Sequence, residues 1–321
     1  MCIRDSYLES AQNIVEDDDI GMDGVVFTYN DIALQDELGA TSHHPRYKMV
    51  FKWAGETAQA KIKEVKWATS RLGIVTPVAV IEPVFLSGAE ITNISLHNAA
   101  YVQSFNLKSG DLIELIRSGE VIPKFLRVVK AQEGQYAWPK KCSSCHSSLE
   151  FDDVRLRCLN QSCPAQQIGR ILNWIRCVGI DDLSEKRLLV MMEQNLVETI
   201  PDLYALTVET LLTLPQTKEK LAQKLYENIQ TSRDLPLEQF LSGLGIAGTG
   251  ATTWSKLLDH HPSLEDLWKA NTDQIAAIDG FAEKSAEQIV AGLKETKPLV
   301  KELWKAGVKP QEHIILSLIH I

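Results

Sequence analysis

Long apolar runs are missing from this 321-residue chain. No stretch of eighteen apolar residues occurs, so no membrane-spanning helix and no membrane partner are expected. The opening MCIRDSYLES lacks an apolar core, which argues against a secretory signal. Cysteine is scarce, at six residues, and only Cys2 and Cys177 lie outside one short stretch, which does not suit a disulfide-laced secreted domain. Surplus positive charge is lacking as well. With 33 basic and 42 acidic side chains the net charge is −9, which excludes a uniformly basic nucleic-acid binder. What remains is an ordinary soluble composition, 45% apolar and 23% charged, in a chain long enough for two to four domains.

The net charge conceals an asymmetry. Residues 1–45 carry one basic and ten acidic side chains, whereas residues 46–141 carry fourteen basic and eight acidic, net +6. Residues 142–177 are net +1 and the remainder is net −7. The positive middle is where a phosphate backbone would release counterions on binding.

Cys142, Cys145, Cys158 and Cys163 lie in CSSCHSSLEFDDVRLRCLNQSC. Two close pairs across a short hairpin can present four thiolates tetrahedrally, as Zn2+ prefers. His146 directly follows Cys145 and is read as a surface residue.

Ahead of the cysteines, YKMVFKWAG alternates, with Lys48, Val50 and Lys52 on one strand face and Met49, Phe51 and Trp53 on the other. Two ammonium groups side by side suit a phosphate. Between residues 60 and 130, short strands recur with turns every ten residues or so: KIKEVKWAT, GIVTPVAVIEPV, the segment around Ile91 to Leu96, DLIELIRSG and EVIPKFLRVVK. A small barrel of the OB type is expected. After Cys163 the pattern turns helical, broken at IDDLSEK, LPQTKEK, GIAGTGATT and IDGFAEKSA, each followed by an amphipathic helix. This is the pattern of tandem helix-hairpin-helix units, whose turns can offer bare amides to a phosphate. Only Gly248 and Gly250 keep both turn glycines; the fourth turn has Gly280 and Ala282, the first Asp182 and Ser184, the second Gln216 and Lys218. The first two turns are expected to be structural. Trp174, Trp254, Trp268 and Trp304 fall on helix faces and are assigned to the core. The terminal strings MCIRDS and LSLIHI match neither neighbouring pattern and are set aside from the fold.

In this order, the parts resemble the bacterial NAD+-dependent DNA ligases over about residues 20–300. The strings MDGVV, ELGATSHHPRYKMVFKW, SLHNA, SGEVIPK and RCLNQSCPAQ carry the likeness. The resemblance implies a multidomain α+β chain: residues 1–55 the end of an adenylation (nucleotidyltransferase) domain, 56–138 an OB-fold barrel, 139–165 a four-cysteine zinc finger, 166–306 a helix-hairpin-helix domain, and 307–321 a tail. It further implies that nicks in duplex DNA are sealed through lysyl-AMP and adenylated-DNA intermediates, with NAD+, Zn2+ and Mg2+ (or Mn2+) as cofactors. Each step attacks phosphorus amid negative charge, which cationic groups and a metal stabilise.

Residue by residue, Asp23 and Lys52 match catalytic positions. Lys52, Thr28 and Arg46 match nucleotide-binding positions, the four cysteines match the zinc ligands, and Arg71, Gly248, Gly250 and Gly280 match DNA contacts. The partner implied is nicked double-stranded DNA, bound by a monomer in a bacterial or phage-like cytoplasm, beside the nucleoid. Two departures stand out. No Lys-x-Asp-Gly nucleophile precedes this region, so the chain is expected to be an N-terminally truncated piece and inactive alone. Thr28 replaces the lysine that follows the Asp-Gly pair. The alternative is a non-catalytic, sequence-independent DNA-binding module that has shed its enzyme head.

Overall fold

A computed structural model describes residues 24–41, 44–52, 55–118 and 122–311; Asp23, His43 and Trp53 lie outside these. Contacts divide the chain into two compact units. Residues 1–68, 76–139 and 151–156 form the first, and 69–75, 140–150 and 157–321 the second.

The first unit begins with an antiparallel ribbon of β1 (Gly24–Thr28) and β2 (Lys48–Lys52), joined through α1 (Ile32–Leu38). Asp31 starts α1 by accepting from the Ala33 amide at 2.9 Å. The register sets Gly24 opposite Lys52 and Thr28 opposite Lys48. Directly opposed residues share a face, so Lys48, Val50 and Lys52 stand together, as the alternation anticipates. Glycine is required at position 24 because a Cβ there would run into the Phe51 carbonyl oxygen.

Five strands then close a barrel: β3 (Thr57–Thr69), β4 (Ile74–Leu86), β5 (Ala89–Ser95), β6 (Leu112–Ser118) and β7 (Ile122–Lys130). Their order is β3-β6-β7-β5-β4, and a further β3–β4 pairing completes the ring. Closure removes the exposed edges that an open sheet would present. Alternation puts Ile62, Ala79, Ile81, Ile94, Ile113 and Leu115 inside. A short helix, α2 (Ala99–Ser104), plugs one end with Val102 and is capped by Asn98 onto the Tyr101 amide at 2.8 Å. That helix was not foreseen; SLHNA is the turn leading into it, with His97 at φ 57°.

Asp111 is fully buried at the barrel's end. Its carboxylate accepts from the Lys108 amide at 2.9 Å and the Gln132 amide at 2.7 Å, with Lys108 Nζ 3.6 Å away. A buried charge so served holds two loops together.

The second unit is helical around a single apolar core. Its helices are α3 (Pro164–Cys177), α4 (Glu185–Glu193), α5 (Val208–Leu212), α6 (Glu219–Thr231), α7 (Leu237–Leu244), α8 (Ala251–His260), α9 (Leu264–Lys269), α10 (Thr272–Ala276) and α11 (Glu283–Lys305). Trp174 is buried completely, edge-on to Phe240 with centroids 5.6 Å apart, and donates from Nε1 to the Tyr204 hydroxyl at 3.0 Å. Gly243 lets α7 approach this indole; a Cβ there would lie 2.7 Å from the ring. Trp254 is buried too, but Trp304 is 44% exposed, which corrects its assignment to the core. It lies edge-on to Trp268 with centroids 5.7 Å apart, leaving its other side to solvent.

Asp111→Ala should destabilise the barrel by about 2 kcal/mol, because two amides and the Lys108 ammonium lose the buried carboxylate they share. Urea unfolding followed by circular dichroism checks this; an unchanged midpoint would refute the role given to the carboxylate.

Candidate metal and nucleic-acid sites

The cysteine cluster is built by local turns. His146 N bonds the Cys142 carbonyl at 3.0 Å, and Cys142 N bonds the Ser147 carbonyl at 2.9 Å, so Cys142 and Cys145 sit on one tight knuckle. The second pair comes from the end of the hairpin β8 (Leu149–Asp152) and β9 (Arg155–Cys158), and from Cys163 at the N-terminus of α3. Gln166, buried on α3, fixes the connection by donating to the Cys158 and Asn160 carbonyls at 2.9 and 3.0 Å. All four sulfurs fall within 4.8 Å of one another. Cys142 and Cys163 are 3.9 Å apart and Cys145 and Cys158 3.5 Å. A tetrahedral Zn2+ with bonds of about 2.3 Å needs edges of about 3.8 Å. The donor set therefore fits a metal ion.

Hydrogen bonds from the Ser147 hydroxyl and amide draw the Cys145 thiol down to about 5, while burial pushes Cys158 up to about 12. A cation between them relieves both the crowding of thiolates and the burial. His146 is exposed, as read from the sequence.

The four hairpin turns share one geometry. Asp182, Gln216, Gly248 and Gly280 all have positive φ, at 65°, 56°, 74° and 89°. Each lies two residues before the N-cap of the following helix: Ser184, Lys218, Gly250 and Ala282. Two residues earlier, Ile180, Leu214, Ile246 and Ile278 are buried and pin the turn to the core. The amides that follow are uncapped by side chains at Lys218, Gly250 and Ala282. Gly248, Gly250 and Gly280 are all exposed, and nothing lies within 4 Å of a Cβ built on Gly250.

Arg71 is half-buried and donates to the Gly245 carbonyl, and burial lowers its pKa. Asn173 Nδ2 donates to the Ser242 and Gly243 carbonyls at 3.1 Å each. Together they satisfy the open C-terminal carbonyls of α7, just ahead of the third turn. Gly169 leaves room for the Arg71 backbone against α3. On the ribbon, Thr28, Arg46 and Lys48 line one hollow of about 310 Å³ with Tyr29, Tyr47 and Met49. Lys52 is exposed on the same face as Lys48.

The OB-fold domain of NAD-dependent DNA ligases matches residues 59–137, and a helix-hairpin-helix motif matches 239–297. A DNA ligase of Coprothermobacter proteolyticus is 38% identical over 301 residues, covering 91% of this chain. The chain is homologous to part of the bacterial NAD-dependent DNA ligases. DNA ligases of Oceanobacillus iheyensis and Levilactobacillus brevis are 33% and 34% identical over 90% and 94% of it. The chain spans less than half of these ligases, 45%, 45% and 46% of their lengths. Among the described residues, no helix is long and apolar enough to cross a membrane.

Sequence reasoning missed the residues that support this ligase-related framework: Thr69, whose hydroxyl lies 3.2 Å from Cys142 Sγ, and Gln166. Nothing local marks either. Arg71→Met should lower the melting temperature by removing the bond to the Gly245 carbonyl, read by circular dichroism; an unchanged midpoint would refute that bracing role. Cys158→Ser should cost the protein about one equivalent of zinc, read by elemental analysis, and unfold the knuckle.

Proposed function

We propose that this chain is the DNA-holding part of an NAD+-dependent DNA ligase, comprising the end of an adenylation domain, an OB barrel, a zinc finger and a helix-hairpin-helix domain. What supports the reading most is 38% identity over 301 residues, 91% of the chain. In this reading residues 1–55, 56–138, 139–165 and 166–306 are the four parts. The partner is nicked duplex DNA, held by its backbone without sequence preference by a monomer in the bacterial cytoplasm, beside the nucleoid.

Cys142, Cys145, Cys158 and Cys163 would hold Zn2+, which contributes folding energy to a knuckle with no core of its own. Lys52 contacts a nucleotide phosphate, and Gly24 opposite it keeps the approach open; Asp23, outside the described residues, serves the adenylate. NAD+ would supply the AMP group, and Mg2+ or Mn2+ would neutralise charge on the phosphates. Thr28 carries no charge for the nucleotide, but Lys48 stands directly across the ribbon from it. Lys48 takes over the missing cation, with Arg46 beside the same hollow.

The ribbon itself supports a larger assembly. Val26, Ile32, Met49 and Val50 are 56%, 71%, 74% and 52% exposed. A two-stranded ribbon and a short helix with so much apolar surface uncovered are marginal alone, which fits a place within a larger adenylation domain. The sequence has no Lys-x-Asp-Gly string. A non-catalytic DNA-binding module remains the second reading, favoured by Thr28 and by the hairpin turns that have lost their glycines.

The chain should bind nicked duplex with Kd of roughly 1–100 µM at physiological salt, and should form no covalent AMP adduct from labelled NAD+. An adduct would overturn the division of labour between this chain and a separate nucleophile. Failure to bind DNA at low salt would overturn both readings.

A further inference from the structure

Where the segments that follow α2 and β7 meet, a hollow of about 440 Å³ opens between Gln103, Asn106, Gln135, Tyr136 and Trp138. Its volume falls in the usual range of small-ligand sites. No charged side chain lines it. A phosphate or carboxylate would find no counter-charge inside. The group that fits is flat, neutral and able to hydrogen-bond along an edge.

Aromatic rings make one wall. Trp138 stands edge-on to Tyr136 with centroids 5.7 Å apart, and its ring lies 6.5 Å from Trp67 and 5.2 Å from Phe151. Trp67 and Tyr136 pack against the apolar core of the barrel. Trp138 and Phe151 do not belong to that packing; the first is half-buried and the second 48% exposed. Filling the barrel therefore does not account for them. The wall is also fixed in advance. Asn106 Oδ1 accepts from the Tyr136 amide at 2.7 Å, and its Nδ2 donates to the Gly134 carbonyl at 3.1 Å. Burial pushes the Tyr136 phenol up to about 12, against a hydrogen bond with Trp67 that lowers it, so the ring stays neutral. Gln103 and Gln135 differ from Asn106. Both are exposed, and among the described residues neither carboxamide has a hydrogen-bond partner. One comes from the last turn of α2 and the other from the segment after β7, and they converge on the same hollow.

We propose that this hollow takes an unpaired base of a single DNA strand, stacked on Trp138 and bonded along its edge by Gln103 and Gln135. A carboxamide both donates and accepts, so it can meet any base, and it meets adenine with two bonds at once. The positive middle of the chain, net +6 over residues 46–141, attracts the strand's phosphates, which stay outside the neutral hollow. An intact duplex keeps its bases paired and stacked, so the site would serve frayed or gapped ends. The idea rests on the DNA-holding function proposed above and adds a second form of DNA to it.

The test uses the full chain and two fluorescein-labelled strands of equal length, one of deoxyadenosines and one abasic, read by anisotropy beside the nicked duplex. Equal phosphate counts cancel the share of the backbone. The base-bearing strand should bind about tenfold tighter than the abasic one, the effect of one stacked base. Trp138→Ala should remove that preference and leave the affinity for the abasic strand unchanged. Because Trp138 touches three other rings, the double variant Gln103→Ala with Gln135→Ala gives an independent reading, and it decides the matter if Trp138→Ala unfolds. It alters only exposed side chains and should cut the preference severalfold. Equal binding of both strands by the wild-type chain, or a preference that survives the variants, would overturn the base site while nicked-duplex binding stands. A wild-type chain that binds neither strand nor the nicked duplex would overturn the DNA-holding function beneath it. Matching circular dichroism spectra confirm that the variants fold.

Discussion

Four sulfurs within 4.8 Å of one another cannot all be charged unless a cation lies between them. Much of the molecule's connectivity hangs on that requirement. Cys142 takes a hydrogen bond from Thr69, Cys158 bonds Gly73 through its amide at 2.8 Å, and Cys163 opens α3. The loop between β3 and β4, the knuckle and the first long helix are therefore tied to one centre. No apolar core could do this, because the knuckle has too few residues to bury.

A second constraint shapes the helical unit. Every turn places a buried aliphatic residue two positions ahead of a left-handed one. Once that residue is seated, the backbone must swing through positive φ to start the next helix. Glycine does so without strain, whereas Asp182 and Gln216 do so at a cost of about 1–2 kcal/mol each. The repeat conserves conformation where it has not conserved residues.

This explains what could be read in advance. Strand alternation in 60–130 and the cysteine spacing are short-range patterns dictated by pleat and ligand geometry, and both are visible in the chain. The turn positions were legible as well, since 182, 216, 248 and 280 recur with the same neighbours. What was hidden depends on contacts far apart in sequence. Arg71 looks like any surface arginine until Gly245, 174 positions later, appears beside it. The helix at Ala99–Ser104 is too short to declare a period, and the exposure of Trp304 follows from packing that no local pattern records.

The two units are interlaced along the chain. Residues 69–75 and 140–150 belong with the helical unit although barrel segments flank them, and 151–156 returns to the barrel. The barrel segment 76–139 must therefore leave the ribosome between two pieces of the helical unit, and no single proteolytic cut would part the polypeptide into these two units.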